Sequence, residues 1–267
     1  ALDFDKEYYL ATACDKVILH PLGSLIINGI GGNTPFVKNT LDKLGIKAEF
    51  EHVEEFKTAY NIFTEEGFTP AHKQMMESLY ESIFSHYTRG IAEARGKSEE
   101  EIRAIIDHAY YQGEKALESG LVDELLFADQ LEDLLHQDEK KIHKISYATY
   151  LKTKPSSLGL NQGKKVAIIY GIGPIHTGEG LYSTMGSTTV ARWIKKIRLD
   201  SSIVAVVFRV DSPGGSAVAS DIIWREVVLA KEKKPFVVSM SDVAGSGGHW
   251  VSMAAHKIVV QPQTFTG

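Results

Sequence analysis

The stretch Ile203-Val204-Ala205-Val206-Val207-Phe208-Arg209-Val210-Asp211-Ser212-Pro213-Gly214-Gly215-Ser216 runs from β-branched apolar residues into a proline–glycine turn. A short apolar run closed by a turn signal reads as a strand inside a sheet. Beyond the turn, Ala217 to Glu232 carries a helix-like pattern. Working outward, Val166 to Tyr170, Pro235 to Met240 and Lys257 to Val260 are further runs of the strand type, and Thr188 to Ile197 is helix-like. Strand alternating with helix at this spacing predicts an α/β fold, a parallel sheet with crossover helices and strands buried on both faces. In such sheets function gathers at the carboxyl ends of the strands.

The front of the chain has a different texture. From Thr34 to about Gln137 helical signals dominate. Pro35 to Leu44 is helix-like. Thr69-Pro70-Ala71 is an N-cap followed by a first-turn proline, opening a helix to about Glu93. Arg95-Gly96 closes it, Ser98-Glu99-Glu100-Glu101 opens another with a capping-box pattern, and Gly120 ends a short helix before Leu121-Val122-Asp123. Ala48 to Val53 is strand-like. Thr153-Lys154-Pro155-Ser156-Ser157 reads as a linker, dividing the chain into residues 1–152 and 153–267. Tyr8 to Pro21 can be laid without gaps on His249 to Pro262, with aromatic, Ala, Lys and Pro positions in agreement, as a duplicated α/β unit would require.

Composition narrows the function. Over 267 residues, 29 Lys plus Arg face 34 Asp plus Glu, for a net charge of −5, with 43% apolar and 24% charged residues. That is an ordinary globular composition without the basic excess of a nucleic-acid footprint. Cys14 is the only cysteine, so one chain can form no disulfide, Cys₄ zinc site or iron–sulfur cluster, and no metal or cofactor is expected. No apolar run approaches the roughly 20 residues of a membrane-spanning helix. The opening Ala1-Leu2-Asp3-Phe4-Asp5-Lys6 lacks the pattern of a signal peptide, which suggests a piece of a longer polypeptide, with any anchor lying outside this stretch.

Two glycine-rich turns stand at the ends of expected strands: Asp211-Ser212-Pro213-Gly214-Gly215-Ser216, and Val243-Ala244-Gly245-Ser246-Gly247-Gly248. Glycine allows close approach to the main chain, and the first amides of a following helix are unpaired, which suits a developing oxyanion. Ser246 stands between glycines just before an expected helix from Gly247 to Ala255, a setting close to the hydrolase nucleophile elbow. The plainer reading is an N-cap serine. Likewise Gly214-Gly215 reads either as an oxyanion hole or as an ordinary strand-to-helix turn. Neither loop has the lysine of a P-loop, and Gly171-x-Gly173 lacks the third glycine of a dinucleotide fingerprint.

A serine nucleophile needs a base. His249 lies on the same short helix, and no spacing ties His52, His72 or His176 to Ser246. Lys57, in Phe56-Lys57-Thr58-Ala59-Tyr60, has an apolar and aromatic setting, and burial there would depress its pKa toward neutrality. The alternative is a solvated lysine paired with Glu54 or Glu55.

Five segments carry a resemblance in order and spacing: Tyr8-Tyr9-Leu10-Ala11 with Cys14-Asp15-Lys16 and Pro21; Phe56-Lys57-Thr58-Ala59; Gly113 to Val122 ending in Gly120-Leu121-Val122-Asp123; Arg209 to Ser216; and Ser246-Gly247-Gly248-His249-Trp250. Together they resemble the signal peptide peptidase A (protease IV) family, serine peptidases with the Clp protease and crotonase type of fold. The resemblance implies a tandemly duplicated Clp/crotonase-like unit with a helical extension in its first half. Residues 1–152 would be the C-terminal part of the first repeat and 153–267 the N-terminal part of the second. It implies Ser246 as nucleophile, Lys57 as general base, and an oxyanion hole from Gly214 or Gly215, with Gly214 favoured, together with Gly247. Gly245 and His249 depart from the alanine and tyrosine often found in the family, and the family continues beyond the equivalent of Gly267 with a serine that orients the lysine. The implied activity is cleavage of spent signal peptides or other apolar peptides. The implied setting is a membrane-anchored ring or bowl of identical subunits on the extracytoplasmic side of a bacterial inner membrane. A crotonase-type acyl-CoA enzyme would share the oxyanion geometry but needs a basic cluster for the CoA nucleotide, which the sequence does not offer. A non-catalytic scaffold of the same fold is the third reading.

Overall fold

A computed structural model describes residues 5–136, 144–160 and 163–267, so the expected helical limit at Gln137 lies outside the described residues. The chain divides into two compact units, residues 1–144 and 145–267, each with its own apolar core.

In order, unit 1 contains α1 (Asp5–Ala11), β1 (Ile18–Leu19), β2 (Ser24–Ile26), α2 (Lys38–Lys43), α3 (Asn61–Thr64), α4 (Pro70–Arg95), α5 (Glu99–His108), β3 (Tyr110–Gln112), α6 (Gly113–Glu118), β4 (Glu124–Leu125) and α7 (Ala128–His136). Its helix ends are set by the residues the sequence singles out. The Thr69 hydroxyl accepts the His72 amide, Pro70 occupies the first turn, and Gly96 closes α4 at φ +62°. Ser98 and Glu101 bond reciprocally at the head of α5. β1 pairs with β4 in parallel and β2 with β3 antiparallel. The core gathers Tyr8, Leu19, Leu25, Ile91, Ile102 and Leu121. Arg95 holds Asp123 with two hydrogen bonds and reaches the Gly120 carbonyl, while Asp123 accepts the Val17 amide, which fastens the Gly120–Asp123 turn to the start of β1.

The strand expected over Ala48–Val53 does not form. Phe50 stacks on Tyr60 and Phe63, and His52 stacks on Tyr60, so these side chains fold back on α3 and its approach and the backbone joins no ladder.

Unit 2 contains α8 (Tyr147–Tyr150), a 3₁₀ turn (Pro155–Leu158), β5 (Lys165–Ile172), β6 (Ile175–His176), β7 (Met185–Gly186), α9 (Ser187–Leu199), β8 (Ile203–Ser212), α10 (Ala217–Lys231), β9 (Phe236–Ala244), α11 (Gly247–Ser252), β10 (Lys257–Val259) and β11 (Phe265–Thr266). The parallel sheet has the order β10-β9-β8-β5, with β11 pairing the far end of β9. This is the expected α/β architecture, with α9 and α10 as crossovers. Val206, Phe208 and Val210 of β8 and Phe236, Val238 and Met240 of β9 pack with Val190, Ile194, Ile223 and Val227 of the helices.

Burial on both faces is not what the sheet shows. Along β8 and β9 buried residues alternate with partly exposed ones, and on β5 Val166, Ile168, Tyr170 and Ile172 all face outward and exposed. The core-forming residues of α9, α10 and α11 belong to one cluster with one face of the sheet, and among the described residues of unit 2 no second buried cluster covers the other.

Toward its carboxyl end β9 slips register against β8: Val210 faces Met240, but Ser212 faces Ala244. Side chains repair the broken ladder. Arg209 donates to the Met240 carbonyl and to the Ser239 and Ser241 hydroxyls, and Thr264 and Thr266 donate to the Ser241 and Ala244 carbonyls. Such irregularities re-aim a strand end, and here they deliver the chain into the Gly245-Ser246 turn. The two stretches of the internal echo share the order helix, loop, strand, as α1 to β1 and α11 to β10. The units are otherwise different, since the described residues of unit 1 form two-stranded pairings where unit 2 has its larger parallel sheet.

Candidate functional site

Ser246 sits between the end of β9 and the start of α11. Its backbone has φ +50° and ψ −114°, a conformation that a residue with a Cβ adopts at a cost of about 1–3 kcal/mol. The side chain caps nothing in α11, is exposed, and makes no hydrogen bond within its unit. An N-cap serine would have spent its hydroxyl on the helix amides. The strand–turn–helix geometry instead leaves that hydroxyl free at the carboxyl edge of the sheet.

Close packing of two loops accounts for the glycines. A Cβ on Gly214 would fall 2.7 Å from the Gly247 nitrogen and 2.8 Å from both the Gly245 oxygen and the Ser246 Cβ. Gly214 itself lies at φ +96°. Only glycine lets the 212–216 turn rest directly against the serine loop. A Cβ on Gly215 would fall 2.1 Å from the Ile175 carbonyl oxygen, so the other flank of the turn is pressed onto β6.

Most main-chain amides of the two loops are already engaged. Gly245 N–H donates to the Ser212 carbonyl at 3.0 Å, Ser246 N–H to Gly267 at 2.5 Å and Gly248 N–H to Gly245 at 2.8 Å. Ser216 N–H donates to Ile175 at 2.9 Å, and Gly214 N–H to the Ser212 hydroxyl at 3.1 Å. The amides of Gly215 and Gly247 have no partner within the unit. Of the two adjacent glycines, Gly214 has its amide proton held by Ser212 and Gly215 does not.

Lys57 belongs to unit 1, where it lies on the irregular chain leading into α3. It is exposed, as are Phe56, Glu54 and Glu55, and it forms no ion pair within its unit. Unit 1 alone supplies neither the burial expected of a lysine base nor the Glu54 or Glu55 pairing of the alternative. Among the histidines, His249 Nδ1 lies 3.1 Å from the Thr266 hydroxyl, which itself donates to the Ala244 carbonyl. That hydroxyl can only accept from His249, so the ring ties α11 to β11. His176 is bonded to Thr184 and Thr177, and His72 is buried in unit 1.

Ser212 has no role among the sequence expectations, yet its hydroxyl accepts the Gly214 amide. The available signal was a serine at a strand end with a glycine two places on, the pattern in which a hydroxyl accepts the i+2 amide. A separate apolar groove of about 440 Å³ runs between β5 and α9, lined by Ile168, Tyr170, Leu181, Tyr182, Met185 and Trp193, and holds none of the candidate residues. No cluster of three metal-ligating side chains exists among the described residues, and no helix there is long and apolar enough to cross a membrane.

The model of peptidase family S49 matches residues 4–143 and 229–267, spans that include Lys57 and Ser246. The chain is 33% identical to the chloroplastic serine protease SPPA of Arabidopsis thaliana over 98% of this chain and 40% of the relative. It is 33% identical to Protease 4 of Salmonella typhi over 98% of this chain and 44% of the relative. It is 31% identical to Protease 4 of Haemophilus influenzae over 98% of this chain and 45% of the relative. The chain thus spans less than half the length of these curated relatives. Among solved structures, a membrane-bound stomatin-specific protease matches 39% of this chain and 48% of its own at 21% identity and a TM-score of 0.31.

Proposed function

The chain belongs to peptidase family S49, and from that membership we propose that it carries a serine peptidase site with Ser246 as nucleophile and Lys57 as general base. The observation that carries this reading is the strained turn at Ser246, whose unbonded hydroxyl shares its loop pair with the two unpaired amides of Gly215 and Gly247. Strain of this kind persists where the surroundings over-determine it, and it holds a nucleophile clear of steric cover.

The neutral Lys57 amine takes the Ser246 hydroxyl proton as the oxygen attacks the peptide carbonyl. The carbonyl electron pair moves onto oxygen, where the Gly215 and Gly247 amides receive it. Collapse expels the amine, which takes the proton back from the Lys57 ammonium, leaving an acyl-enzyme. Water then attacks the ester, Lys57 accepting its proton, and on collapse Ser246 Oγ takes that proton from Lys57 as the carboxylic acid product departs. A dry setting is needed to keep Lys57 neutral. Since Lys57 is exposed in unit 1, that setting comes from the remainder of the enzyme and from bound substrate.

The substrates we propose are apolar peptides, cleaved signal peptides foremost. The full protein would act as a membrane-anchored homo-oligomer with its sites on the extracytoplasmic side, the anchor lying outside the described residues. Replacing Ser246 by Ala, or Lys57 by Ala, in the full-length protein is expected to lower cleavage of an apolar peptide on the order of 10³-fold or more. A variant of either kind that still cleaves at the parent rate refutes the assignment.

A further inference from the structure

We propose that Ser212 is a positioning residue for oxyanion stabilisation: by occupying the Gly214 amide it fixes the Pro213–Gly214 peptide plane, one of the two flanking Gly214, and so limits rotation of the next plane, which presents the Gly215 amide. This rests on the peptidase reading above. Ser212 is completely buried at the carboxyl end of β8. Its one hydroxyl proton goes to the Gly173 carbonyl at 2.7 Å, so toward Gly214 the same oxygen acts as acceptor, at 3.1 Å. Its carbonyl accepts the Gly245 amide at 3.0 Å. A single residue thereby joins the exit of β5, the 212–215 turn and the serine loop.

The consequence for Gly215 is geometric. The Gly214 carbonyl accepts the Ile175 amide at 2.8 Å. In a trans peptide the following N–H points opposite to that carbonyl, so the Gly215 N–H is turned away from β6. The Gly214 residue is thus held at its amide by Ser212 and at its carbonyl by β6. Two consecutive glycines at φ +96° and +151° have no side chains to resist rotation, and these two hydrogen bonds supply the resistance. Without the hydroxyl, the Gly214 amide and the Gly173 carbonyl lose their partner. Reorientation of the glycine pair to recover one would carry the Gly215 N–H off its aim. Such a fault weakens the hold on a tetrahedral oxyanion while leaving ground-state peptide binding in place.

The experiment compares full-length wild type, Ser212→Ala, Ser212→Cys and Ser246→Ala on an apolar peptide substrate. A peptide aldehyde of the same sequence, which forms a tetrahedral adduct with a serine, serves as probe, and thermal melting is followed throughout. Ser212→Ala is expected to lower kcat about 10²-fold, the usual loss for one oxyanion donor. KM should stay within a few-fold, aldehyde affinity should fall in parallel with kcat, and Ser212→Cys should recover part of both. A folded Ser212→Ala enzyme with kcat and aldehyde affinity near wild type overturns the proposal, as does a loss confined to KM. If Ser212→Ala and Ser212→Cys both fail to fold, the residue is structural and the proposal is likewise overturned. Ser246→Ala separates the two levels: its retained cleavage sinks the peptidase reading and this proposal together, whereas an inactive Ser246→Ala beside an unaffected Ser212→Ala sinks the proposal alone.

Discussion

Ser246 occupies a backbone conformation that glycine adopts freely and serine does not, at φ +50° and ψ −114°. Ser246→Gly relieves that strain, and after the extra unfolded-chain entropy of glycine is subtracted it is expected to stabilise the protein by about 1 kcal/mol. Ser246→Ala keeps the Cβ and should change stability little. Denaturant titration of the two variants checks this, and equal midpoints would show that no strain is stored at the turn. At this scale the sequence was informative where chemistry is local. Glycines on both sides of Ser246 marked an elbow; a Cβ at Gly247 would collide with the Ser220 hydroxyl, whereas one at Gly245 would meet only ordinary contacts. What it could not resolve was which of two adjacent glycines is free, because Gly214 is claimed by a hydroxyl two positions back and held in place by β6, a pairing visible only in three dimensions.

Helix ends were the most legible elements. Thr69, Pro70, Ser98, Glu101, Gly96 and Gly120 each act within a few residues of chain, so their types suffice to locate α4, α5 and the end of α6. The Ala48–Val53 strand failed for the opposite reason: a strand exists only through a partner, and Phe50 and His52 found aromatic neighbours instead. α4 also carries a titratable weakness. His72, in its first turn, is buried against Phe36 and Phe68, and its Nδ1 has no hydrogen-bond partner. Desolvation holds its pKa below the ordinary value of about 6.5. The unfolded chain therefore takes up the proton first, so stability is intact above about pH 6.5 and declines as pH falls below it. Melting temperatures of wild type and His72→Phe between pH 7.5 and 5 should diverge, the wild type losing more. Parallel curves would remove His72 as the cause.

At the scale of the whole molecule, the alternation of strand and helix foretold a parallel sheet, and that sheet is present in unit 2. Its one-sided burial was not foreseen, because an apolar run looks the same whether one face or both will be covered. The connection between the units is exposed throughout from Lys144 to Leu160. Brief trypsin treatment is therefore expected to cut after Lys144 and Lys152, with Lys154 spared by the proline that follows it. N-terminal sequencing should find new ends at Ile145 and Thr153. First cuts within α4 or α10 would contradict the division into two units.

The outward row of Val166, Ile168, Tyr170 and Ile172 on the outermost strand bears on how the polypeptide can be handled. Parallel strands are ordinarily clothed on both sides, and an oily wall this long on a bare margin invites other chains to stick. A recombinant piece comprising unit 2 by itself would be limited by its colloidal behaviour before its folding, and mild detergent or charged replacements along that wall would be the first remedies when such a piece is produced.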